Sequence, residues 1–174
     1  GASAHEFEIG LRYHEDSEDR FQDEDRYAMQ GGSLLRTTDN APGSNANQLV
    51  EAQAWSSYLQ DQITIGNWQW LPGLRYEHIA LTRTDWQRTP TGRDQPPVLV
   101  AKRDVSAFIP GLGATYDLSE RWQLLAGVHR GYSPPAPGTT VDAEESVNLE
   151  AGLRFAQDAW NVELIGFLND YDNL

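Results

Sequence analysis

The sequence predicts an all-β protein: an antiparallel meander of about seven long strands forming an arc of a transmembrane β-barrel. Three observations predict it. Apolar and polar residues alternate along several segments, short connections alternate with long ones, and tryptophan recurs immediately after the short connections. Alternation of period two sends successive side chains to opposite faces of a strand. Short turns on one side, long loops on the other and aromatic belts at both interfaces form the pattern of outer-membrane barrels.

Composition narrows the alternatives. The chain carries a formal charge of -13, which argues against a nucleic-acid partner and against adsorption on anionic lipid. It has no cysteine, hence no disulfide framework and no zinc–thiolate site. Hydrophobic residues make up 39% of it, and no run approaches the roughly 20 apolar residues of a membrane helix. The opening Gly-Ala-Ser-Ala-His lacks the charged and apolar regions of a signal peptide. A barrel stays open because its strands hide their apolar residues at every second position.

In chain order, Phe7, Ile9, Leu11 and Tyr13 alternate with polar residues over His5–His14. The acidic run from Glu15 to Arg26 reads as loop, and Tyr27–Arg36, broken by Gly31-Gly32, reads as a local hairpin inside that loop. Thr37–Asn47 is loop by composition. Val50–Ile65 is a strand that turns at Gly66-Asn67 into Trp68, Trp70, Pro72, Leu74 and Tyr76. Thr82–Arg103 reads as a long polar loop. The clearest unit follows. Phe108–Asp117 and Trp122–Tyr132 form two strands around Leu118-Ser119-Glu120-Arg121. The proline-rich run after Ser133 ends that ladder, and Val147–Phe155 then turns at Ala156–Ala159 into the strand beginning at Trp160.

Trp68, Trp122 and Trp160 each open a strand, and Tyr76, Tyr132 and Tyr171 follow at intervals that project to roughly 19 to 26 Å in a tilted strand. That matches an apolar band of ~25 Å. Trp68, Tyr76, Tyr116, Trp122, Tyr132 and Trp160 are therefore the expected interface aromatics, with outer-membrane lipid against the face they share. Trp160 and Tyr171 are separated by an odd interval and need a bulge to share a face. The other face carries Gly73, Arg75, Glu77, Gly113, Gln123, His129, Glu150, Arg154 and Glu163, a polar lining. With the short turns on one side, seven crossings alternate up and down. Single-chain bacterial barrels close with even numbers, so the chain reads as part of a larger wall.

Trp70-Leu71-Pro72-Gly73-Leu74-Arg75-Tyr76-Glu77, Phe108-Ile109-Pro110-Gly111-Leu112-Gly113-Ala114 and Gly127-Val128-His129-Arg130-Gly131-Tyr132-Ser133-Pro134-Pro135 resemble TonB-dependent outer-membrane receptors of the ferric-dicitrate type. So do Asn148–Arg154 and Phe167–Asn173. The resemblance implies a barrel of roughly 22 strands around a plug, uptake of a ferric chelate (siderophore or ferric citrate) into the periplasm, and coupling to TonB through an N-terminal box. It places the protein in the outer membrane of a Gram-negative bacterium. Residues 1–174 read as one partial barrel domain without plug or box. The alternatives are a small self-contained barrel acting as adhesin or structural protein, and a soluble β-sandwich binding module. A closed eight-strand cylinder marks the first, and a dry centre packing Leu112, Leu124, Leu149 and Val162 together marks the second.

No catalytic constellation is present: there is no His-Glu-x-x-His, no Gly-x-Ser-x-Gly and no phosphate loop, so no enzyme and no cofactor are expected. Arg83, Trp86, Arg88 and Arg93 form a cationic and aromatic cluster suited to a polyanionic chelate, with His129 and Arg130 as a second candidate. The competing reading pairs these arginines with neighbouring acidic loops. Asp16, Glu18, Asp19, Asp23 and Asp25, with Glu24, offer oxygen ligands for Ca²⁺ but lack the glycine and spacing of an EF-hand, so a solvated loop is the simpler reading.

Overall fold

A computed structural model describes residues 3–38 and 40–173. Nine strands follow one another: β1 (Ala4–Gln22), β2 (Arg26–Gln30), β3 (Ser33–Thr38), β4 (Ala46–Ile65), β5 (Trp68–Asp85), β6 (Leu99–Asp117), β7 (Trp122–Ser133), β8 (Glu144–Gln157) and β9 (Trp160–Asp172). Seven form one antiparallel sheet in the order β1-β4-β5-β6-β7-β8-β9. The expected seven crossings are all there, and β2 pairs with β3 in a separate hairpin. Gly31 and Gly32, at φ 55° and 81°, supply the two positive dihedrals that its tight turn requires. The large sheet is open, with β1 and β9 as its edges among the described residues, so the closed small barrel is not formed.

Register carries the two-faced pattern across the whole sheet. Tyr116, Leu124, Leu153 and Leu164 stand in one cross-strand row, and Leu112, Val128, Leu149 and Leu168 in a parallel one. On the reverse face, Asp117, Gln123, Arg154 and Glu163 form a polar row. No second layer covers the apolar side. Leu112, Leu124, Leu149 and Val162 are 43%, 43%, 45% and 54% exposed, and no described side chain is fully buried. A soluble sandwich would bury them. An uncovered apolar sheet of this extent is stable only against lipid.

Several strands are longer than the sequence pattern indicates. β1 runs on through the acidic segment to Gln22, paired residue by residue with β4 down to Ala46. β5 continues to Asp85 and β6 starts at Leu99, which shortens the expected Thr82–Arg103 loop to residues 86–98. Above the membrane both faces of a ladder meet water, so hydrogen bonding persists while amphipathic alternation stops. The last turn narrows to Asp158-Ala159, with Asp158 at φ 51°. β8 and β9 pair without a register shift, so no bulge brings Trp160 and Tyr171 to one face; Tyr171 stands on the polar side.

Two prolines sit inside central strands, and each marks a break in pairing. The β5–β6 ladder passes both without interruption, joining Pro72 to Leu112 and Leu74 to Pro110. The β4–β5 ladder skips Leu71 and Pro72, and the β6–β7 ladder stops at Gly111–His129, one residue short of Pro110. Each missing N–H thus faces the neighbour on the far side of that hairpin. Beyond the second break β6 and β7 fork, and the Arg130 guanidinium donates to the Phe108 carbonyl at 3.2 Å across the gap. Asp61 lies opposite Pro72 on the apolar face, with Oδ2 2.8 Å from His5 Nδ1.

The inner face is closed locally by the β7–β8 connection. Arg103 donates to the carbonyls of Thr139 (3.0 Å) and Val141 (2.9 Å), while Gly138 rests against Ala101 and Arg83. Pro135 and Pro137 are buried, as are Ile79, Leu81 and Ala107 on the inner face of β5 and β6. At the β1–β4 seam, Gly10 faces Tyr58, whose ring lies over the glycine and whose hydroxyl donates to Glu8 Oε1 at 2.7 Å.

Two substitution tests follow from the two faces. Val128, cross-strand partner of Leu149, is six residues above Trp122 and near the centre of the apolar band. Leu149→Arg is expected to destabilise the folded protein by about 2–4 kcal/mol, while Asn148→Arg on the polar face stays within about 1 kcal/mol. Denaturant titration of the full-length protein in phospholipid vesicles measures both. Gly10→Ala displaces the Tyr58 ring and is expected to cost about 1–3 kcal/mol in the same assay.

Candidate ligand site at the outer loops

The aromatic belts locate the membrane and thereby the loops above it. At the short-turn end Trp68 packs on Trp70 (5.1 Å) and Tyr116 (4.7 Å), and Trp122 packs on Phe155 (4.6 Å). Trp160 lies beside them on the neighbouring turn, 72% exposed. At the other end Tyr76 meets Phe108 (4.9 Å) and Tyr13 meets Trp55 (4.6 Å). Tyr13, Trp55, Phe108 and Phe155 are belt residues that interval counting from the three tryptophans misses. Tyr132 is half-buried above the β6–β7 fork and keeps the outward register of Trp122 and Val128, opposite Glu145 on β8.

Arg83, Trp86 and Arg88 border one cavity of about 510 Å3 with Asn47, Asp85 and Val98, and Arg93 stands outside it. Arg83 lies on the inner face of β5, where its Nε donates to Asp85 Oδ1 at 2.9 Å. Arg93 belongs to a short 3-10 turn, Gly92–Asp94, on the opposite side. There its guanidinium stacks between the rings of Phe21 (5.1 Å) and Trp86 (5.0 Å), and Nε donates to Asn47 Oδ1 at 2.7 Å. Both terminal nitrogens grip the Asp19 carboxylate, Nη1 at 2.9 Å. Gly92 has no room for a side chain against the Gln87 carbonyl, and Asn47 Nδ2 donates to that same carbonyl at 2.8 Å. Arg93 and Trp86 therefore fasten the 86–98 loop onto β1 and β4.

Arg88 alone of the four keeps its guanidinium uncommitted among the described residues. It is exposed and borders a polar notch with Glu24, Arg26, Thr38, Ser44 and Asn45. His129 and Arg130 are consecutive on β7 and so point to opposite faces. His129 is on the inner face opposite Gly111, while Arg130 pairs with Glu145 on the outer side. Where the β6–β7 ladder ends, both residues nonetheless border one open cavity of about 750 Å3 with Pro110, Glu145 and Tyr171.

The acidic run is also dispersed. Asp16 and Glu18 face inward and Asp19 outward, because the segment is strand rather than loop. Glu18 pairs with Arg20 (2.8 Å), Asp19 with Arg93, and Asp25 with Arg36 (2.5 Å). Asp23 lies beyond the end of β1. No group of three or more His, Asp or Glu side chains among the described residues is placed to hold a metal ion, so the Ca²⁺ reading loses its geometry.

The Arg93 hydrogen bonds hold the Asp19 carboxyl below the usual carboxylate range, and Arg36, with the Asn40 N–H, does the same for Asp25. A carboxyl whose folded value is lowered contributes stability above its unfolded value and loses that contribution as pH falls through the folded one. Amide hydrogen exchange across residues 86–98 is thus expected to be slow at neutral pH. It should accelerate only below the ordinary Asp range, and Asp19→Asn should bring fast exchange to neutral pH.

The whole chain, residues 1–174, matches the family model described as "TonB dependent receptor-like, beta-barrel". It is 23% identical over 172 residues to the ferrienterobactin receptor of Escherichia coli K12, covering 82% of this chain and 19% of that protein. It is 24% identical over 172 residues to the ferric enterobactin receptor of Pseudomonas aeruginosa PAO1, covering 83% and 20%. Among solved structures it superposes on the unliganded ferric citrate transporter FecA with a TM-score of 0.73 and 28% identity, over 98% of this chain and 25% of that one. The ferric-catecholate import receptor Fiu of E. coli K12 shares the fold at a TM-score of 0.74 and 13% identity, over 98% and 29%. The chain thus spans about a fifth of the length of the curated relatives it matches. A lipid-facing sheet with a polar inner wall and a match over its full length establish one conclusion: the chain belongs to the TonB-dependent receptor family of outer-membrane transport proteins, as a stretch of its β-barrel.

Proposed function

We propose that the complete protein imports a ferric chelate, a siderophore or ferric citrate, across the outer membrane into the periplasm. Residues 1–174 supply one partial barrel domain, about a third of the wall's strands. A plug and a TonB-engaging segment are supplied by the protein outside these residues, and TonB and the chelate are its partners. The observation that carries this reading is the common cargo type in the names of its relatives: ferric enterobactin, ferric citrate and ferric catecholate. The wall chemistry is compatible. Arg75 with Glu77 and Arg154 with Glu163 keep the inner face polar and internally neutralised, as a hydrated lumen or a packed plug requires.

Deleting the gene tests the proposal. Uptake of radiolabelled iron, supplied in turn as ferric citrate and as ferric catecholate complexes, should fall by about an order of magnitude or more for one complex. Deleting TonB should reproduce the loss. Unchanged uptake of every ferric complex supplied would overturn it.

A further inference from the structure

The notch beside Arg88 carries a site that the import reading does not require. It encloses about 340 Å3 between the β3–β4 connection, the start of β2 and the 86–98 loop. Its lining is polar, and its donors outnumber its acceptors. Arg88 makes no ion pair or hydrogen bond among the described residues. Arg26 makes only a loose 3.6 Å approach to Glu24, the one carboxylate lining the notch among the described residues. The Ser44 hydroxyl is sealed from solvent with no hydrogen-bond partner. Asn40, itself part of the lining, holds the frame by donating to the Glu24 carbonyl at 2.7 Å and to Asp25 Oδ1 at 3.1 Å. Three nearby acids are already engaged: Asp19 by Arg93, Asp25 by Arg36 and Asp85 by Arg83. In a chain of charge -13, one uncommitted guanidinium, a second held only by the long Glu24 contact and a hydroxyl without a partner border one small cavity.

We infer that this notch binds an oxyanion, a carboxylate or phosphate group of a soluble ligand. The Arg88 guanidinium recognises such a group by charge-assisted hydrogen bonds, with Arg26 beside it as the second cation. Size sets the limit: the volume admits one small oxyanion with water. Height chooses the source. From Tyr13 in the outer belt to Gln22 at the end of β1, the strand climbs roughly 20 Å at a tilt near 45°. That lifts the notch above the phosphates of the outer leaflet, into reach of solutes.

Calorimetric titration of the full-length protein in detergent at low ionic strength, with inorganic phosphate and separately with iron-free citrate, tests this. Both should bind, compete with each other and weaken as salt rises. Arg88→Gln should weaken binding by about tenfold or more, with Arg26→Gln and Ser44→Ala giving smaller losses. Arg121→Gln, the same charge change at the opposite end of the sheet, should leave it unchanged. Equal affinity in the Arg88 and Arg121 variants would overturn the site. Failure of both solutes, with Arg88-dependent binding to vesicles of phosphorylated lipopolysaccharide, would overturn the soluble source. Because inorganic phosphate is no part of the ferric chelates proposed as cargo, its Arg88-dependent binding is read independently of whether the protein transports one.

Discussion

Everything in this wall depends on the pairing of backbone polar groups where no water can replace a partner. In hydrocarbon each unsatisfied N–H or C=O costs several kcal/mol, so strands that cross a bilayer must hand their hydrogen bonds on without a gap. The register from β4 through β9 meets that requirement, and the exceptions occur where the sequence leaves no donor. Pro72 and Pro110 remove N–H groups that faced β4 and β7, while the ladder between their own strands stays whole. The second gap is closed by a side chain, since the Arg130 guanidinium reaches the Phe108 carbonyl. Glu145 in turn engages Arg130, so a cation on the lipid side at the top of the sheet is both neutralised and used.

That constraint made part of the fold legible in the sequence. Where lipid touches one face and a polar lumen the other, alternation is enforced residue by residue. Phe7 to Tyr13, Trp68 to Tyr76 and Val147 to Phe155 therefore read as strands unaided. Above the outer belt the enforcement stops. Glu15, Asp16, Ser17, Glu18 and Asp19 have water on both sides, and the ladder continues because it is already in register, leaving no periodic trace. The same holds for Thr82, Arg83, Thr84 and Asp85 at the top of β5. A strand that extends beyond the membrane is held by its neighbour rather than by its own composition, and composition was the sole local signal.

The candidate site was less legible, for a different reason. Arg83, Trp86, Arg88 and Arg93 are close in sequence, and closeness suggested one cationic cluster. Their fates are set by which side of the sheet each reaches and by partners distant in sequence. Arg93 finds Asp19, Phe21 and Asn47, none of which local reading could supply. His129 and Arg130 show the limit most simply, since adjacency in a strand guarantees that two side chains diverge. Ser44 gave no signal at all. A serine in a Pro-Gly-Ser-Asn loop is ordinary, and it becomes informative once its hydroxyl is enclosed without a partner.

Pairing also decides which charges on the outer loops can do anything beyond holding them together. Exposed ion pairs contribute little individually, yet Arg93 combines a two-pronged carboxylate contact with two aromatic faces and an amide, so several weak terms share one ordered side chain. Arg103 acts similarly on the inner side, where two carbonyls of the β7–β8 connection converge on one guanidinium nitrogen. An arginine so engaged is a poor ligand-binding group, because capturing an anion would first release a loop. An arginine without such partners carries no such penalty. On the 86–98 loop of a strongly acidic chain, Arg88 is therefore the arginine free to meet a ligand, with the loosely held Arg26 beside it.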